Sequence, residues 1–205
     1  MKTFNTKSGK GTTLKWGLTF FLALALALVF VTMVPWIAFG EDKLAKEKAD
    51  IRKMARDTLA RLYKAQPNAK KAVEGAAGYA VFSNFGMKIF VAGGGSGKGI
   101  AVSNSPKKET FMKMVEVQAG LGMGIKKFRL VWVFEQSKDL DGFINSGWEL
   151  GGQATAAAKA GGQGGAFAGA MSIAPGVWLY QLTDDGLALE LTAKGTKYYK
   201  DDKLN

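Results

Sequence analysis

No cysteine and no histidine occur among the 205 residues of this chain, and the two absences exclude most familiar active-site chemistries. Without histidine there is no imidazole base, no Ser-His-Asp or Cys-His nucleophile system, and the commonest metal ligand is missing. Without cysteine there can be no disulfide, no thiolate zinc site, no thiolate ligand for haem and no acylated lipoprotein terminus. A Ser-Lys dyad or paired carboxylates remain, but the acids show no arrangement that assigns them a reaction. Glu135, Asp139, Asp141 and Glu149 are scattered. The adjacent pairs Asp184-Asp185 and Asp201-Asp202 read as turn and tail chemistry, because neighbours on a strand point to opposite faces. The expectation is a non-enzymatic protein with no catalytic residue, no metal and no cofactor.

Acid is also lacking from the first 40 residues. They carry Lys2, Lys7, Lys10 and Lys15 and then run without a charge from Trp16 to Gly40. A basic flank followed by an apolar stretch is how a chain engages the export machinery, since lysines stay behind while leucines partition into lipid. Pro35 ends the apolar helix, and Ala38 with Gly40 offers a small-x-small cleavage site. The reading is a signal peptide over 1–40, cut after Gly40, with an uncleaved membrane anchor as the alternative. Residues 41–205 then form one domain outside the cytoplasm, in a periplasm or cell envelope. Subtracting the four leader lysines lowers the net charge from +11 to +7, a surplus that favours anionic partners. Export argues against nucleic acid among them.

Residues 41–65 have the pattern of an amphipathic helix. Leu44, Ile51, Met54, Ala55, Thr58, Leu59 and Leu62 recur at three- and four-residue steps, and Lys48, Arg52 and Arg56 follow one another along one flank. Gln66-Pro67-Asn68 breaks the helix, and Ala69 to Ala76 is expected to form a shorter one carrying Lys70 and Lys71. From Gly78 onward short strands punctuated by glycine are expected: Tyr79–Phe82, Lys88–Val91, Gly99–Val102, Thr110–Val117 and Phe128–Phe134. Ser137 caps a short helix with Asp139 in its first turn. Trp148, Leu150, Ala154, Ala156 and Ala158 alternate as in a strand, and Val177–Leu182 faces Leu187–Leu191 across an Asp-Gly turn. The fold class is α+β: N-terminal amphipathic helices packed on a curved, glycine-rich, largely antiparallel β-sheet or partial barrel.

Two glycine clusters resemble nucleotide motifs and fail as such. The run Gly93-Gly-Gly-Ser-Gly-Lys-Gly99 has Ala92 where a Walker motif needs glycine and Gly99 where it needs Ser or Thr. It is expected to be a structural glycine hairpin between two strands. Gly120, Gly122 and Gly124 lack the spacing of a dinucleotide fingerprint. They put a bare face on a strand, against which another element or a ligand can approach the backbone.

Several blocks occur in a characteristic order: Ala77-Gly-Tyr-Ala-Val-Phe-Ser-Asn84, the glycine run at 93–99, Val117-Gln-Ala-Gly-Leu-Gly122, and Trp148-Glu-Leu-Gly-Gly-Gln153 followed by alanines. The series closes with Ala174-Pro-Gly-Val-Trp-Leu-Tyr180 and Gly186-Leu-Ala-Leu189. Taken together they resemble the SYLF family, an actin-binding-domain family, in its bacterial exported form, over about residues 43–200. The resemblance implies lipid binding through basic and amphipathic N-terminal elements, with no catalytic residues in the family pattern. In a bacterial envelope it implies an anionic phospholipid partner.

The expected function is therefore peripheral association with anionic phospholipid. The basic groups Lys48, Arg52, Arg56, Lys70 and Lys71 would meet headgroup phosphates while nearby apolar residues settle at the interface. Gly120, Gly122 and Gly124 are a possible approach for a ligand. The competing expectation is that the apolar helix face packs on the sheet and the lysines are merely solvated. Two other classes stay open: an envelope structural protein that binds protein partners through its sheet edges, and a carboxylate-based hydrolase.

Overall fold

The computed structural model describes residues 41–89, 92–119, 124–150, 165–184, 186–188 and 195–205. The expected leader and its cleavage site at Gly40 lie outside the described residues, as do Gly120 and Gly122. The chain divides into a unit Met1–Lys46, of which residues 41–46 are described and helical, and a unit Glu47–Asn205. The sheet and the side chains packed on it belong to the second unit.

Helix α1 (residues 41–65) buries Ile51, Ala55, Thr58 and Leu62, one step of three between two of four, so a single stripe faces the core. Thr58 is tolerated there because its hydroxyl donates to the Met54 carbonyl at 2.8 Å. Pro67 separates α1 from helix α2 (Asn68–Gly75), which buries Ala69, Ala72 and Val73. Asn104 donates to the carbonyls of Val73 and Ala76 at 2.8 and 2.9 Å, occupying acceptors that the end of α2 leaves open.

The strands are longer than the glycines suggest. Strand β1 (Gly78–Ile89) is one element where the sequence suggests two, and β2 (Ala92–Asn104), β3 (Lys107–Ala119) and β4 (Gly124–Phe134) follow as antiparallel neighbours. Gly93 to Gly99, expected to be a hairpin loop, is instead interior strand, paired with β1 on one side and β3 on the other. Helix α3 (Ser137–Asn145) comes next. Its N-cap is Gln136, one residue before the expected Ser137, and makes no side-chain cap bond; Asp139 does stand in the first turn. Strand β5 (Trp148–Leu150), a 3-10 turn at Gly165–Phe167, and strands β6 (Met171–Ala174), β7 (Val177–Thr183), β8 (Gly186–Ala188) and β9 (Thr196–Lys200) complete the described elements. The expected β7–β8 hairpin is present, closed between Thr183 and Gly186; the rest of the expected second strand, Leu189 to Leu191, lies outside the described residues.

Among the described residues the strands form a nine-stranded antiparallel sheet in the order β5-β9-β3-β2-β1-β4-β7-β6, with β8 beside β7. Four strand spacings separate β9 from β4, about 19 Å if the sheet were flat. Yet the rings of Tyr198 on β9 and Trp132 on β4 lie 5.2 Å apart, and Trp148 on β5, one strand further, is 5.1 Å from Trp132. Such contacts require the sheet to curl into a partial barrel.

Alternation along the strands then sorts the core into two compartments. Inside the curl lie Phe82, Met112, Met114, Leu130, Trp132, Phe134 and Tyr198, with Leu140 and Phe143 of α3 inserted among them. Outside it, Val81, Ile100, Phe111, Val131 and Val133 meet the buried stripes of α1 and α2.

Glycine makes the curl possible at two positions of β2. A Cβ on Gly99 would stand 2.3 Å from the Phe82 ring and 2.5 Å from the Val81 carbonyl. One on Gly97 would stand 2.4 Å from the Ser83 carbonyl and 2.7 Å from Met114. Phe82 is the direct cross-strand partner of Gly99 in β1, and Met114 that of Gly97 in β3. The large side chain of each pair covers the bare backbone of the other member.

Candidate functional site

Packing the apolar stripe of α1 on the outer face of the sheet brings its basic flank down onto the start of β3. The Lys48 ammonium lies 5.5 Å and the Arg52 guanidinium 5.1 Å from the centre of the Phe111 ring, close enough for cation–π attraction. Arg52 Nε also donates to Glu109 Oε2 at 2.7 Å. Since Glu109 and Phe111 lie two residues apart on β3, the strand's pleat turns both toward the helix.

The other expected lipid-binding residues are placed separately. Arg56 is exposed further along α1. Lys70 and Lys71 are exposed on α2, where Lys70 comes within 3.9 Å of Glu74 one turn on. Of the glycine trio, Gly124 opens β4. The apolar residues of α1 are not free to enter a membrane, because Ile51, Ala55 and Leu62 are core; Leu44, 38% exposed, is the large apolar residue of the helix at its surface. The expectation that apolar neighbours of the basic flank settle at the interface is corrected accordingly. Buried against the sheet, the stripe takes its apolar contacts from the protein core.

Alongside Lys48 and Arg52 runs a cleft of about 530 Å³. Its walls come from α1, the β2–β3 turn region, α3 and the residues after β9. Sequence reasoning missed two of its basic residues, Lys108 at the start of β3 and Lys200 at the end of β9. The Lys107-Lys108-Glu109 triplet was a visible signal of a charged strand entry, but nothing local places it beside α1. Lys108 and Lys200 have the register of Met112 and Tyr198, residues of the inner compartment. The cleft therefore crosses the rim of the sheet, from the outer side at α1 to the inner side at α3.

The tail after β9 builds one wall. Asp201 N donates to the Phe111 carbonyl at 2.9 Å, and the Asn205 amide brackets the same residue, donating to its carbonyl at 2.8 Å and accepting from its N–H at 2.9 Å. Asp201 and Asp202, read from the sequence as tail residues, divide: Asp201 is buried and Asp202 exposed. The Asp201 carboxylate accepts from Lys113, which raises the lysine pKa above its ordinary value.

Among the described residues no group of three acidic side chains converges as a metal site would require. A second cavity of about 310 Å³ lies between α3, β5 and the β6–β7 turn, with Phe143, Trp148 and Val177 in its walls. No described helix is long and apolar enough to cross a membrane.

Comparison with protein-family profiles gives no match. Among characterised proteins, the chain is 33% identical over 165 residues to beta cell expansion factor A of Aeromonas veronii. The match covers 79% of this chain and 60% of that protein, so the chain spans less than two thirds of its relative's length.

Proposed function

We propose that this chain carries a SYLF-type domain that binds the surface of anionic phospholipid membranes without catalysing a reaction, in the envelope to which its leader would deliver it. One observation carries the reading. The sheet takes up the apolar stripe of α1, which orients Lys48, Arg52 and Arg56 as a row on the flank that remains accessible. Lys70 and Lys71 on α2 supply a second exposed pair. Each lysine or arginine near an anionic surface contributes about 1 kcal/mol, so a handful gives reversible binding without any inserted side chain. The ordered sequence blocks that resemble the SYLF family point to the same ligand class. The curated relative supports kinship over most of this chain.

Flotation of residues 41–205, without the apolar leader that would itself partition into any bilayer, with phosphatidylglycerol or cardiolipin vesicles tests the proposal. Binding should be present at low salt, absent with phosphatidylcholine alone, and lost as salt rises, because screening acts over about 8 Å at physiological ionic strength. Replacing Lys48, Arg52 and Arg56 together by Glu should abolish flotation while circular dichroism stays that of the parent. A triple variant that still floats at low salt would show that α1 is not the lipid surface.

A further inference from the structure

The charges around the 530 Å³ cleft do not cancel. Arg52 is paired with Glu109, but among the described residues Lys48, Lys108 and Lys200 each lack a carboxylate within 4.0 Å. Asp141 is the remaining acidic side chain of the lining, so three lysines face one side-chain carboxylate. These lysines come from α1, β3 and β9, elements far apart in sequence that the fold brings to one opening. Lys108 and Lys200 are exposed, whereas the lining also buries Phe111 and Leu204 of the outer compartment and Leu140 of the inner one, with Ile144 packed beside it, among polar residues such as Thr110 and Asn145. Exposed cations beside buried apolar side chains are complementary to a molecule with an anionic head and a hydrocarbon tail.

We infer that this cleft holds one single-chain anionic amphiphile, an alkyl phosphate or an alkyl carboxylate. Its head would lie among Lys48, Lys108 and Lys200 and the first part of its chain against Phe111 and Ile144. The volume falls within the range of about 300–1,000 Å³ that encloses small ligands. It suits a head with a short length of chain better than a two-chain lipid lying wholly inside. The inference rests on the lipid reading above and sharpens it. A membrane surface is met by the outer flank of α1 and by α2, whereas the cleft takes a single molecule with the help of two lysines from the sheet.

Octyl phosphate, used below the concentration at which it forms micelles, separates the two. Titration calorimetry of the leader-free chain, residues 41–205, should show saturable one-to-one binding. Inorganic phosphate should bind at least tenfold more weakly, since it leaves the apolar side chains unused. The double variant Lys108→Glu, Lys200→Glu should weaken octyl phosphate at least tenfold. Ile144→Ala should weaken octyl phosphate severalfold and leave inorganic phosphate unchanged; circular dichroism of each variant checks that it folds. Vesicle flotation at low salt should survive in Ile144→Ala. Equal affinity for octyl and inorganic phosphate would overturn the amphiphile in favour of a simple anion site. Unaltered octyl phosphate binding in Lys108→Glu, Lys200→Glu would place the ligand elsewhere. Vesicle binding without any octyl phosphate binding would sink the cleft and leave the surface reading standing; loss of both in the parent chain would sink both.

Discussion

Lys113 Nζ donates to Asp201 Oδ1 at 2.7 Å, and the carboxylate that receives it is only 2% exposed. The bond fastens the chain after β9 to β3, next to the backbone bonds of Phe111. Removing the carboxylate in Asp201→Ala should lower stability by about 1.5–3 kcal/mol, the usual range for a hydrogen bond to a charged group. Urea unfolding followed by tryptophan fluorescence would measure it. Asn205→Ala, which frees the N–H and carbonyl of Phe111, should cost somewhat less.

Phe143 is the ring at which the inner compartment closes. Its centroid lies 5.0 Å from Phe134, 5.4 Å from Tyr198, 5.5 Å from Trp132 and 5.8 Å from Trp148. Phe143→Ala leaves a cavity within the curl and is expected to cost about 3–5 kcal/mol in denaturant unfolding. Phe143→Leu should cost much less, because most of the volume is kept.

Two glycines should respond in opposite directions to the same change. Gly99→Ala drives a methyl group into the Phe82 ring and the Val81 carbonyl, so overpacking of about 1–3 kcal/mol is expected. Gly142, inside α3, has nothing within 4 Å of the Cβ position. Gly142→Ala should stabilise by about 0.5–1 kcal/mol through helix propensity. Thermal melts of the two single variants would read both signs.

Alkali should unfold the protein through its tyrosines. Burial pushes Tyr180 up to about 12; burial, with Tyr79 and Glu74 adding to it, does the same for Tyr63; and burial holds Tyr198 further above the ordinary value of 10.0. As pH rises the unfolded chain ionises first. Stability is therefore intact below pH 10 and falls progressively toward 12. The raised pKa of Lys113 acts in the same direction, its contribution being complete below 10.5 and lost above. Among the described residues the buried Tyr180 hydroxyl has no hydrogen-bond partner, so Tyr180→Phe should be nearly neutral at pH 7 and more resistant than the parent at pH 11. Urea midpoints at the two pH values would decide it.

A change at Arg52 should separate folding from the proposed membrane binding. It is exposed enough, at 40%, that its pair with Glu109 contributes little, so Arg52→Gln should lower stability by about 1 kcal/mol or less. The same change should weaken vesicle flotation at low salt, and adding Arg56→Gln should weaken it further with almost no additional effect on melting.

Helix α1 was legible in the sequence because its pattern is local: Ile51, Ala55, Thr58 and Leu62 share a face whatever the rest of the chain does. The β7–β8 hairpin was legible for the same reason, since a two-residue turn fixes its own register. The glycine run at 93–99 was misread because glycine alone describes backbone freedom and not its use. Strand pairing with β1 and β3 decides that use, and those partners are not encoded in the run. The separate strands expected at Tyr79–Phe82 and Lys88–Val91 failed likewise, as Ser83 to Met87 are held extended by their neighbours in β2 and β4.

The sequence by itself determined the α+β class, the charge surplus, the exclusion of histidine and cysteine chemistry, and the row formed by Lys48, Arg52 and Arg56. Each depends on composition or on spacing within one element. Only the tertiary structure decided that the sheet curls until Trp148 and Tyr198 touch Trp132, that the apolar stripe of α1 is core, and that Lys108 and Lys200 share a cleft with Lys48. Those relations join residues tens to more than a hundred positions apart. They are fixed by how side chains fill the space between elements, which no local pattern records.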